Sequence, residues 1–471
     1  MPLSVTVINV GPVFDSGDSV DKAEMKSRVC NAIDRRAAEI ISIGDTIWRN
    51  PEAGFREVKT AKLLADKLRS LSLEPEEGIG ITGVLAKIKG RTDRPNIAVM
   101  GEMDALIIPE HPEADPVTGA VHSCGHVSQA TNTLALAMGL VDSGIMSDLD
   151  GTVTILEVPS EEPIELEWRQ QLREKGKLFF TGGKQEFIRA GKFDDIDMVL
   201  TSHMGGDPKH KIGVRSSDPA PGSDGYMAKK YVFKGVEAHS GTVPWNGVNA
   251  LNAAALGLLG IHAQRETFKD EDAIRISQVI SKGGDSLNVI PSDVHMELMV
   301  RGASVEAIKD ACRKVDRSMK AGAMAVGAEL EITNIPGYLP RPGGASPEIT
   351  RILRENAIQL LGPEQVSAGP QRAEGSAITP SGVVSDSNDV SAIVPLVSIQ
   401  VSGQTGRGHS REYRIVDKEN AYVTPAKIYA MTVIDLLADG GLAAKKAIAE
   451  FKPRVEKHDY MKHWHNILAQ E

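Results

Sequence analysis

A thiol and two imidazoles lie within five consecutive residues, His122-Ser-Cys-Gly-His126, of a chain that has only three cysteines. Thiolate sulfur and imidazole nitrogen are typical ligands of zinc and of other transition metals. Side chains two residues apart in a helix diverge by about 200°, so Cys124 and His126 can face one ion only from a loop or a first helical turn. The segment therefore predicts a metal site just before a helix. A buried cysteine flanked by incidental histidines is the alternative.

Two adjacent carboxylates, Glu161 and Glu162, follow an apolar run from Gly151 to Val158 that is typical of a buried strand. Adjacent acidic residues are most often surface residues, and only their place directly after a strand makes these two candidates. In α/β proteins, ligands bind at the carboxyl ends of strands. One carboxylate of the pair could hold a metal ion while the other accepts a proton from water.

Three further histidines lie at strand ends or beside glycines. His203 follows an apolar stretch and precedes Gly205-Gly206, His239 lies in a segment bounded by two glycines, and His409 lies in the glycine-rich loop 403–409. Glycine lets the backbone approach a ligand closely. Taken singly, each of these histidines is more typical of a structural or surface position than of a metal ligand.

Length and charge limit the classes of protein. At 471 residues the chain exceeds one compact core, so two domains are expected and three are possible. A net charge of −10 argues against nucleic acid or an anionic membrane as the main partner, because both require a basic surface. We therefore expect a small-molecule substrate.

Cysteine usage and the N-terminus predict a cytoplasmic protein. Cys30, Cys124 and Cys312 are far apart and show no repeated spacing, which argues against a disulfide framework. The first twelve residues lack the basic start and the apolar core of a signal peptide, and no apolar run reaches the roughly 18 residues of a membrane span. We expect the first twenty or so residues to form a loosely attached strand or tail.

Apolar periodicity predicts an α/β protein with a second unit inserted into it. Two helices within 21–72, strands at 83–88, 96–100 and 153–158, and a helix at 130–141 are typical of a layered sheet. Between 225 and 335 the predicted order is strand, helix, strand, strand, helix, strand, the βαββαβ order of a ferredoxin-like sandwich. The α/β pattern then resumes with a helix at 347–361, a strand at 396–401 and a helix at 425–438.

This organisation predicts three segments. Residues 1–224 and 336–471 would form a catalytic domain with a layered sheet, and residues 225–335 would form an inserted ferredoxin-like domain.

Nine short motifs occur along the chain in one order. They are Arg49-Asn-Pro-Glu-Ala-Gly54, Gly101-Glu-Met-Asp-Ala-Leu106, His122-Ser-Cys-Gly-His126, Ser160-Glu-Glu162, Ser202-His203, Glu237-Ala-His-Ser240, Asn288-Val-Ile-Pro291 with Arg301, Ser387-Asn-Asp389 and Gly408-His409. In these motifs the chain resembles the aminoacylase and glutamate carboxypeptidase type of zinc-dependent metallopeptidases. It is most similar to the amidohydrolase branch with hippuricase, indoleacetyl-amino-acid hydrolase and aminobenzoyl-glutamate hydrolase. The resemblance spans about Ile41 to Leu437.

The resemblance implies one or two divalent transition-metal ions, zinc, manganese or cobalt, per subunit. The implied ligands are Cys124, His126, Glu162, His203 and His409. This mixture of sulfur, nitrogen and oxygen ligands suits those metals better than calcium or magnesium.

The resemblance also implies the catalytic residues. Glu161 would be the general base that takes a proton from metal-activated water, and Asp104 would orient a ligand. His239 would reach from the inserted domain of a neighbouring subunit to polarise the substrate oxygen, and Asn288 would assist it. A homodimer or a higher homo-oligomer, formed through the inserted domain, would follow.

Three features depart from the family pattern. Val127 follows Cys-Gly-His where the family has Asp or Asn, and Ser128-Gln129 replaces Ala-His, so a carboxylate beside the ligands is missing. The two glycines that usually follow the glutamate pair are replaced by the segment 163–168, and 107–121 carries an acidic, proline-containing insertion. Because both segments flank the site, we expect them to reshape the substrate pocket.

Hydrolysis of a C–N bond by metal-activated water is the leading hypothesis. The bond would be the amide of a small carboxylate-bearing aromatic or N-acyl amino acid. Applied to an activated aromatic carbon, the same chemistry would deaminate an aromatic amine such as 5-nitroanthranilate to 5-nitrosalicylate and ammonia. An ordinary exopeptidase is a further alternative, and a non-catalytic binding protein on the same fold is the alternative of another class.

Overall fold

The computed structural model describes residues 21–205, 207–214, 222–341, 346–368 and 384–469. The predicted N-terminal tail and Gly206 lie outside the described residues. The α-helices within these ranges are α1 (Lys22–Arg35), α2 (Ala37–Trp48), α3 (Val58–Ser70), α4 (His126–Ser143), α5 (Leu166–Glu174), α6 (Gly183–Arg189), α7 (Ala250–Ala263), α8 (Val305–Val326), α9 (Pro347–Leu361), α10 (Ser387–Ile393), α11 (Thr424–Leu437), α12 (Leu442–Glu450) and α13 (Tyr460–Leu468).

The strands within the same ranges are β1 (Glu76–Ile79), β2 (Gly83–Lys89), β3 (Asn96–Glu102), β4 (Leu106–Ile107), β5 (Ala120–Val121), β6 (Thr152–Val158), β7 (Met198–Met204), β8 (Ile212–Gly213), β9 (Gly225–Lys234), β10 (Arg275–Lys282), β11 (Asp293–Gly302), β12 (Glu329–Tyr338), β13 (Val366–Ser367), β14 (Leu396–Val401), β15 (Gln404–Thr405) and β16 (Arg414–Ile415).

The described part of the chain contains a large sheet with the order β1-β2-β6-β3-β7-β14-β8-β13. Its central strands β6, β3, β7 and β14 run parallel, while β1 and β2 add antiparallel strands at one edge. Every residue of β3 and of β6 is buried. Parallel strands are buried in this way because secondary structure covers both faces of the sheet.

The second sheet has the order β10-β11-β9-β12, and all of its strands are antiparallel. With α7 and α8 it follows the chain order βαββαβ, and both helices pack against this sheet. The predicted α/β fold with an inserted ferredoxin-like domain is confirmed. Strand β12 runs to Tyr338, three residues beyond the predicted boundary at 335.

Two helices, not one, occupy the segment before Asn50. The periodic apolar residues predict a single helix there, but the chain breaks at Arg36, which ends α1 and precedes α2. The Arg36 guanidinium pairs with Asp142 at the end of α4, with Nε 2.7 Å from Oδ2. The break lets both short helices pack against α4, a long-range contact that periodicity along the chain does not report.

The short helices α5, α6, α10 and α12 are absent from the sequence-based prediction. In the C-terminal tail, His458, His463 and His465 predict a solvated helix face, and α13 lies there. His458 and His465 are indeed exposed, but Tyr460 and Trp464 of this tail are buried in the core. Among the described residues, no helix is both long and apolar enough to cross a membrane.

Candidate active site

Three parallel strands bring acidic and imidazole side chains to one edge of the large sheet. Glu102 is the last residue of β3, Glu161 and Glu162 follow the end of β6, and His203 is the next-to-last residue of β7. The three strands are hydrogen-bonded neighbours that run in the same direction. Their carboxyl ends therefore meet, as expected of a ligand site in an α/β sheet.

The start of α4 contributes the thiol and another imidazole. His126 is the first helical residue, Gly125 caps the helix with φ +100°, and Cys124 lies in the loop before it. A Cβ atom at Gly125 would lie 2.6 Å from Met204 Cβ, so only glycine fits this close, left-handed turn. The structure thus places Cys124 and His126 in the loop and first turn that their spacing predicts.

Cys124 lies at the centre of the five predicted metal ligands. Its Sγ is 3.5 Å from His203 Nε2 and 3.3 Å from His409 Nε2. His409 Nε2 is in turn 3.1 Å from Glu162 Oε1. Two overlapping groups result, each with ligand atoms within 4.8 Å of one another: Cys124 with His126 and His203, and Cys124 with Glu162 and His409.

A loop that is distant in sequence places His409 in this cluster. The His409 backbone has φ +62°, a conformation rare in residues with a side chain. Its N–H donates to Ser123 O at 2.7 Å, and the Ser123 hydroxyl donates to Ser410 O at 2.9 Å. These bonds join the loop to the segment that carries Cys124, although 285 residues separate the two ligands.

Asp104 forms hydrogen bonds with both His126 and the backbone of Glu162, two of the predicted ligands. Its Oδ1 is 3.0 Å from His126 Nδ1, and its Oδ2 accepts a hydrogen bond of 2.9 Å from the Glu162 backbone N–H. Burial opposes ionisation of this carboxyl, but the charge and hydrogen bond of His126, together with the backbone N–H groups of Glu162 and Glu161, lower its pKa to about 2. The carboxylate holds His126 with Nε2 directed away from Asp104, as a residue that orients a ligand must.

The charged groups of the cluster shift one another's pKa values strongly. Burial opposes ionisation of Cys124, but His126, aided by hydrogen bonds from His203 and His409, holds the thiol pKa well below its usual range. Contacts with Cys124 and Glu162 raise the pKa of His409 to about 10. A metal ion would bind the thiolate and the neutral imidazoles, so metal binding here would release protons.

Two buried atoms of the cluster lack hydrogen-bond partners. They are His126 Nε2 and Glu162 Oε1. His409 Nε2 lies 3.1 Å from Glu162 Oε1, but this ion pair does not have hydrogen-bond geometry. His126 Nε2 lies 3.1 Å from Glu102 Oε2, but without hydrogen-bond geometry. Buried polar atoms without a partner are rare in folded proteins. Their position beside a thiolate and two further imidazoles fits a transition-metal centre.

Glu161 lies beside this cluster but outside its closest contacts. Its carboxylate belongs to a group with His126 and Glu162, and only 9% of the residue is exposed. Burial, together with the nearby carboxylates of Glu102 and Glu162, raises its pKa well above the usual range. A carboxylate with a raised pKa next to a metal site has the properties of a general base.

Lys184 is a charged residue of this region that the sequence did not reveal. It is fully buried, and its ammonium pairs with Glu102 and with Asp386. A lone lysine after two glycines resembles any surface lysine, so no local signal distinguishes it. Only the position of α6 against the ends of β3 and β6 places it here.

Two predicted catalytic residues lie apart from the cluster. His239 and Asn288 are exposed on the inserted domain, where Ser240 N–H donates to Asn288 O at 3.0 Å. His239 Nδ1 accepts hydrogen bonds from the backbone N–H groups of Gly241 and Thr242. In the described part of a single chain, neither side chain makes a hydrogen bond or an ion pair with the cluster.

The departures from the family pattern have structural counterparts. Val127 is buried in the core, and the Gln129 amide donates to Glu102 Oε2 at 2.5 Å. The segment after Glu162 forms α5, whose Trp168 ring stacks under the Arg56 guanidinium at 3.7 Å. This segment therefore docks on the loop around Arg56, and the reshaping of the substrate pocket stays a prediction.

Comparison with known proteins extends these observations. Residues 222–324 match the peptidase dimerisation domain family. N-acetylcysteine deacetylase of Bacillus subtilis (strain 168) is 29% identical over 309 residues, which are 64% of this chain and 74% of the relative. Indole-3-acetyl-aspartic acid hydrolase of Enterobacter agglomerans is 26% identical over 373 residues, 76% of this chain and 77% of the relative. Residues 222–324 therefore contain the M20 peptidase dimerisation domain, and the chain is similar to relatives that are named as a deacetylase and a hydrolase.

A solved structure shows the same fold. It is a dinuclear metal-binding peptidase of the M20 family from Bacillus subtilis, with a TM-score of 0.59 and 24% identity, and the match covers 86% of this chain and 99% of that chain. The sequence relatives of this chain are named as a deacetylase, a carboxypeptidase and a hydrolase. The chain is accordingly a metal-dependent amidohydrolase.

Proposed function

We propose that this enzyme hydrolyses the amide C–N bond of a small N-acyl or aryl-acyl amino acid by metal-activated water. The convergence of Cys124, His203, His409 and Glu162 within 3.1–3.5 Å contacts, with Glu161 beside them, carries this proposal. The two relatives compared above are named for N-acetylcysteine and for indole-3-acetyl-aspartic acid. Both compounds join an acyl group to an amino acid through an amide and carry a free carboxylate.

Cys124, His126, Glu162, His203 and His409 would hold the metal. The two overlapping ligand groups share Cys124, and together they would hold one or two ions. Sulfur and imidazole ligands favour zinc, manganese or cobalt over calcium or magnesium. Such an ion lowers the pKa of bound water and polarises a carbonyl oxygen.

Glu161 would accept the proton of the attacking water and deliver it to the departing nitrogen. The side chain follows the end of β6 directly, so its position is set by a buried strand. Asp104 would keep His126 and the backbone of Glu162 in place through the bonds described above. These roles require no movement of either residue within the chain.

The enzyme would act as a homodimer formed through the inserted domain, which we place at 225–335 between catalytic segments 1–224 and 336–471. Strand β10 is an edge strand with exposed apolar residues, Val279 and Ile280, and α7 exposes Leu256 and Leu259. Long apolar edges are normally covered by another chain. In the dimer, His239 and Asn288 of one subunit would reach the metal cluster of its partner, where His239 would polarise the substrate oxygen.

A substrate panel with added Mn²⁺ or Zn²⁺ tests the reaction. It contains N-acetyl-L-cysteine, indole-3-acetyl-L-aspartate, a set of dipeptides and 5-nitroanthranilate, and both released amino acid and released ammonia are measured. We expect amino acid from the N-acyl compounds. Hydrolysis confined to dipeptides would identify an exopeptidase, and ammonia from 5-nitroanthranilate alone would identify an aromatic deaminase; either result contradicts the proposal.

Replacing the base tests the mechanism. Glu161→Gln keeps the shape of the side chain but cannot accept the proton, so we expect kcat to fall by about 10²- to 10⁴-fold. The metal content should be unchanged. The exposed Glu329 provides the matched control Glu329→Gln, which should retain full activity. Retention of full activity by Glu161→Gln would overturn the mechanism.

A further inference from the structure

A group of three carboxylates lies beside the proposed metal ligands. Oxygens of Glu102, Glu161 and Asp386 lie within 4.8 Å of one another. Three carboxylates at this distance repel one another unless a cation or bound protons compensate them. Here Lys184 provides the cation, because its Nζ lies 2.5 Å from Glu102 Oε1 and also pairs with Asp386 Oδ1.

Lys184 is held in this position from several directions. It is 0% exposed, and its own backbone N–H donates to Asp386 Oδ2 at 3.0 Å. Its partner Glu102 accepts a second bond from Gln129 through the other oxygen. The ammonium is therefore a fixed charge within the protein, with little freedom to leave the acidic group.

The helix that carries Lys184 is also joined to the turn that carries Glu161. The Gly183 N–H donates to Ser160 O at 3.0 Å. A Cβ atom at Gly183 would clash with the backbone oxygen of Pro159, so glycine is required for this close approach. Any displacement of the Lys184 segment would move the backbone next to Glu161.

We propose that Lys184 is a positioning residue for Glu161. Its ammonium allows the Glu102, Glu161 and Asp386 carboxylates to converge, and so keeps the Glu161 carboxylate beside the metal ligands. Without this cation the three carboxylates separate, and the base loses its alignment with the attacking water. The inference rests on the proposed function, since it assigns Lys184 an effect only through the proposed base.

Lys184→Met is the direct test, because methionine has a similar length and no charge. We expect kcat on the N-acyl amino acids of the panel to fall by about 100-fold, the effect of misplacing a catalytic group by about 1 Å. KM and the metal content should stay close to wild type. The control is Lys229→Met: Lys229 is also fully buried and pairs with Asp316 at 2.8 Å, but it lies in the inserted domain. This control should keep its kcat.

A double-mutant cycle separates positioning of the base from a purely structural role. If Lys184 acts through Glu161, Lys184→Met should cost less than about threefold in the Glu161→Gln background, since no base remains to be positioned. An equal loss in both backgrounds, or wild-type kcat in Lys184→Met, overturns the inference. If Lys184→Met does not fold, the double variant Lys184→Met/Asp386→Asn, which removes one cation and one anion together, takes its place. Its kcat is then measured with and without Glu161→Gln, and the same criteria apply.

Failure of the proposed function gives a different result. In that case Glu161→Gln itself retains activity, whatever the behaviour of Lys184→Met. Loss of activity in Glu161→Gln together with an unaffected Lys184→Met contradicts only the role of Lys184.

Discussion

At the scale of single residues, the site depends on charges that are buried together and compensated locally. Asp104, Glu102 and Glu161 are nearly excluded from solvent, yet each lies within reach of a histidine or a lysine. Burying an uncompensated charge is costly, so removing one member of such a set affects its neighbours strongly. Substitutions here should therefore change metal binding and pH dependence before they change the fold.

Asp104→Asn should weaken metal binding by about 10- to 100-fold, the usual effect of removing a residue that orients a ligand. The amide cannot accept both the His126 and the Glu162 hydrogen bonds in the geometry of the carboxylate. Competition with a chromophoric chelator measures the affinity. The highly exposed Asp93 gives the control Asp93→Asn, which should bind as wild type does. Equal affinities of the two variants would contradict the role of Asp104.

The raised pKa of Glu57 predicts that the stability of the protein depends on pH. Burial, followed by the charge of Asp104, raises its pKa from 4.5 to about 8. Between these values the unfolded chain has lost the proton that the folded chain keeps, so this group makes the protein less stable as pH rises, by about 1.4 kcal/mol per pH unit. Glu57→Gln removes this effect and can still bond Ser160 N–H and Thr82.

Thermal midpoints of wild type and Glu57→Gln, measured from pH 5 to pH 8, test this prediction. We expect the variant to gain stability relative to wild type as pH rises through this range. Glu74→Gln, at an exposed position, should follow wild type at every pH. A difference between Glu57→Gln and wild type that does not vary with pH would show that Glu57 does not titrate there.

At the scale of elements, long segments with a clear apolar period could be predicted from the sequence, and short helices could not. The helix at 347–361 and the strand at 396–401 have the bounds that periodicity predicts. Helices α5, α6 and α13 have seven to nine residues, too few for a clear period, and their stability comes from packing. This is also why Lys184, on α6, could not be recognised as part of the site.

The C-terminal helix α13 is the clearest case of an element that depends on tertiary contacts. Trp464 is 1% exposed, its Nε1 donates to Asp389 Oδ1 at 3.0 Å, and its ring lies 5.7 Å from that of Phe180. Tyr460 donates to the same carboxylate oxygen at 2.7 Å. At its other end, Leu468 O accepts a bond from Asn334 of β12. Helix α13 thus connects the catalytic and inserted parts of the chain.

Trp464→Ala should destabilise the protein by about 3–5 kcal/mol, because it leaves a cavity and removes one hydrogen bond from the buried Asp389 carboxylate. Denaturant unfolding followed by circular dichroism measures the change. Lys462→Ala, on the exposed face of the same helix, is the matched control and should stay within about 0.5 kcal/mol of wild type. Similar stabilities for both variants would mean that packing of α13 between the catalytic and inserted parts does not stabilise the protein.

At the scale of the whole molecule, one apolar cluster connects the two sheets. It includes Ala98 and Leu156 from the large sheet, Phe180 and Trp464 from the connecting segments, and Tyr231 from the inserted domain. Shared packing of this kind favours a fixed arrangement of the inserted domain within one subunit. The exposed His239 is then expected to serve the site of a second subunit.

Mixing two inactive variants tests this arrangement. Heterodimers of Glu161→Gln and His239→Ala subunits would contain one site with an intact Glu161 and an intact His239 from the partner. Random mixing should therefore restore about a quarter of wild-type activity. A mixture of Glu161→Gln with Asp104→Asn is the control and should restore none of it. If both mixtures stay inactive, His239 acts within its own subunit.

The sequence by itself determined the chemical types of the ligands, their position next to strand and helix ends, and the βαββαβ order of the insertion. These features depend on residues close together in the chain, so local spacing and periodicity report them. Only the tertiary structure decided that Cys124 contacts both His203 and His409, and that Lys184 lies among three carboxylates. Those contacts arise from the order of parallel strands and the docking of short helices, which involve residues far apart in sequence and leave no local pattern.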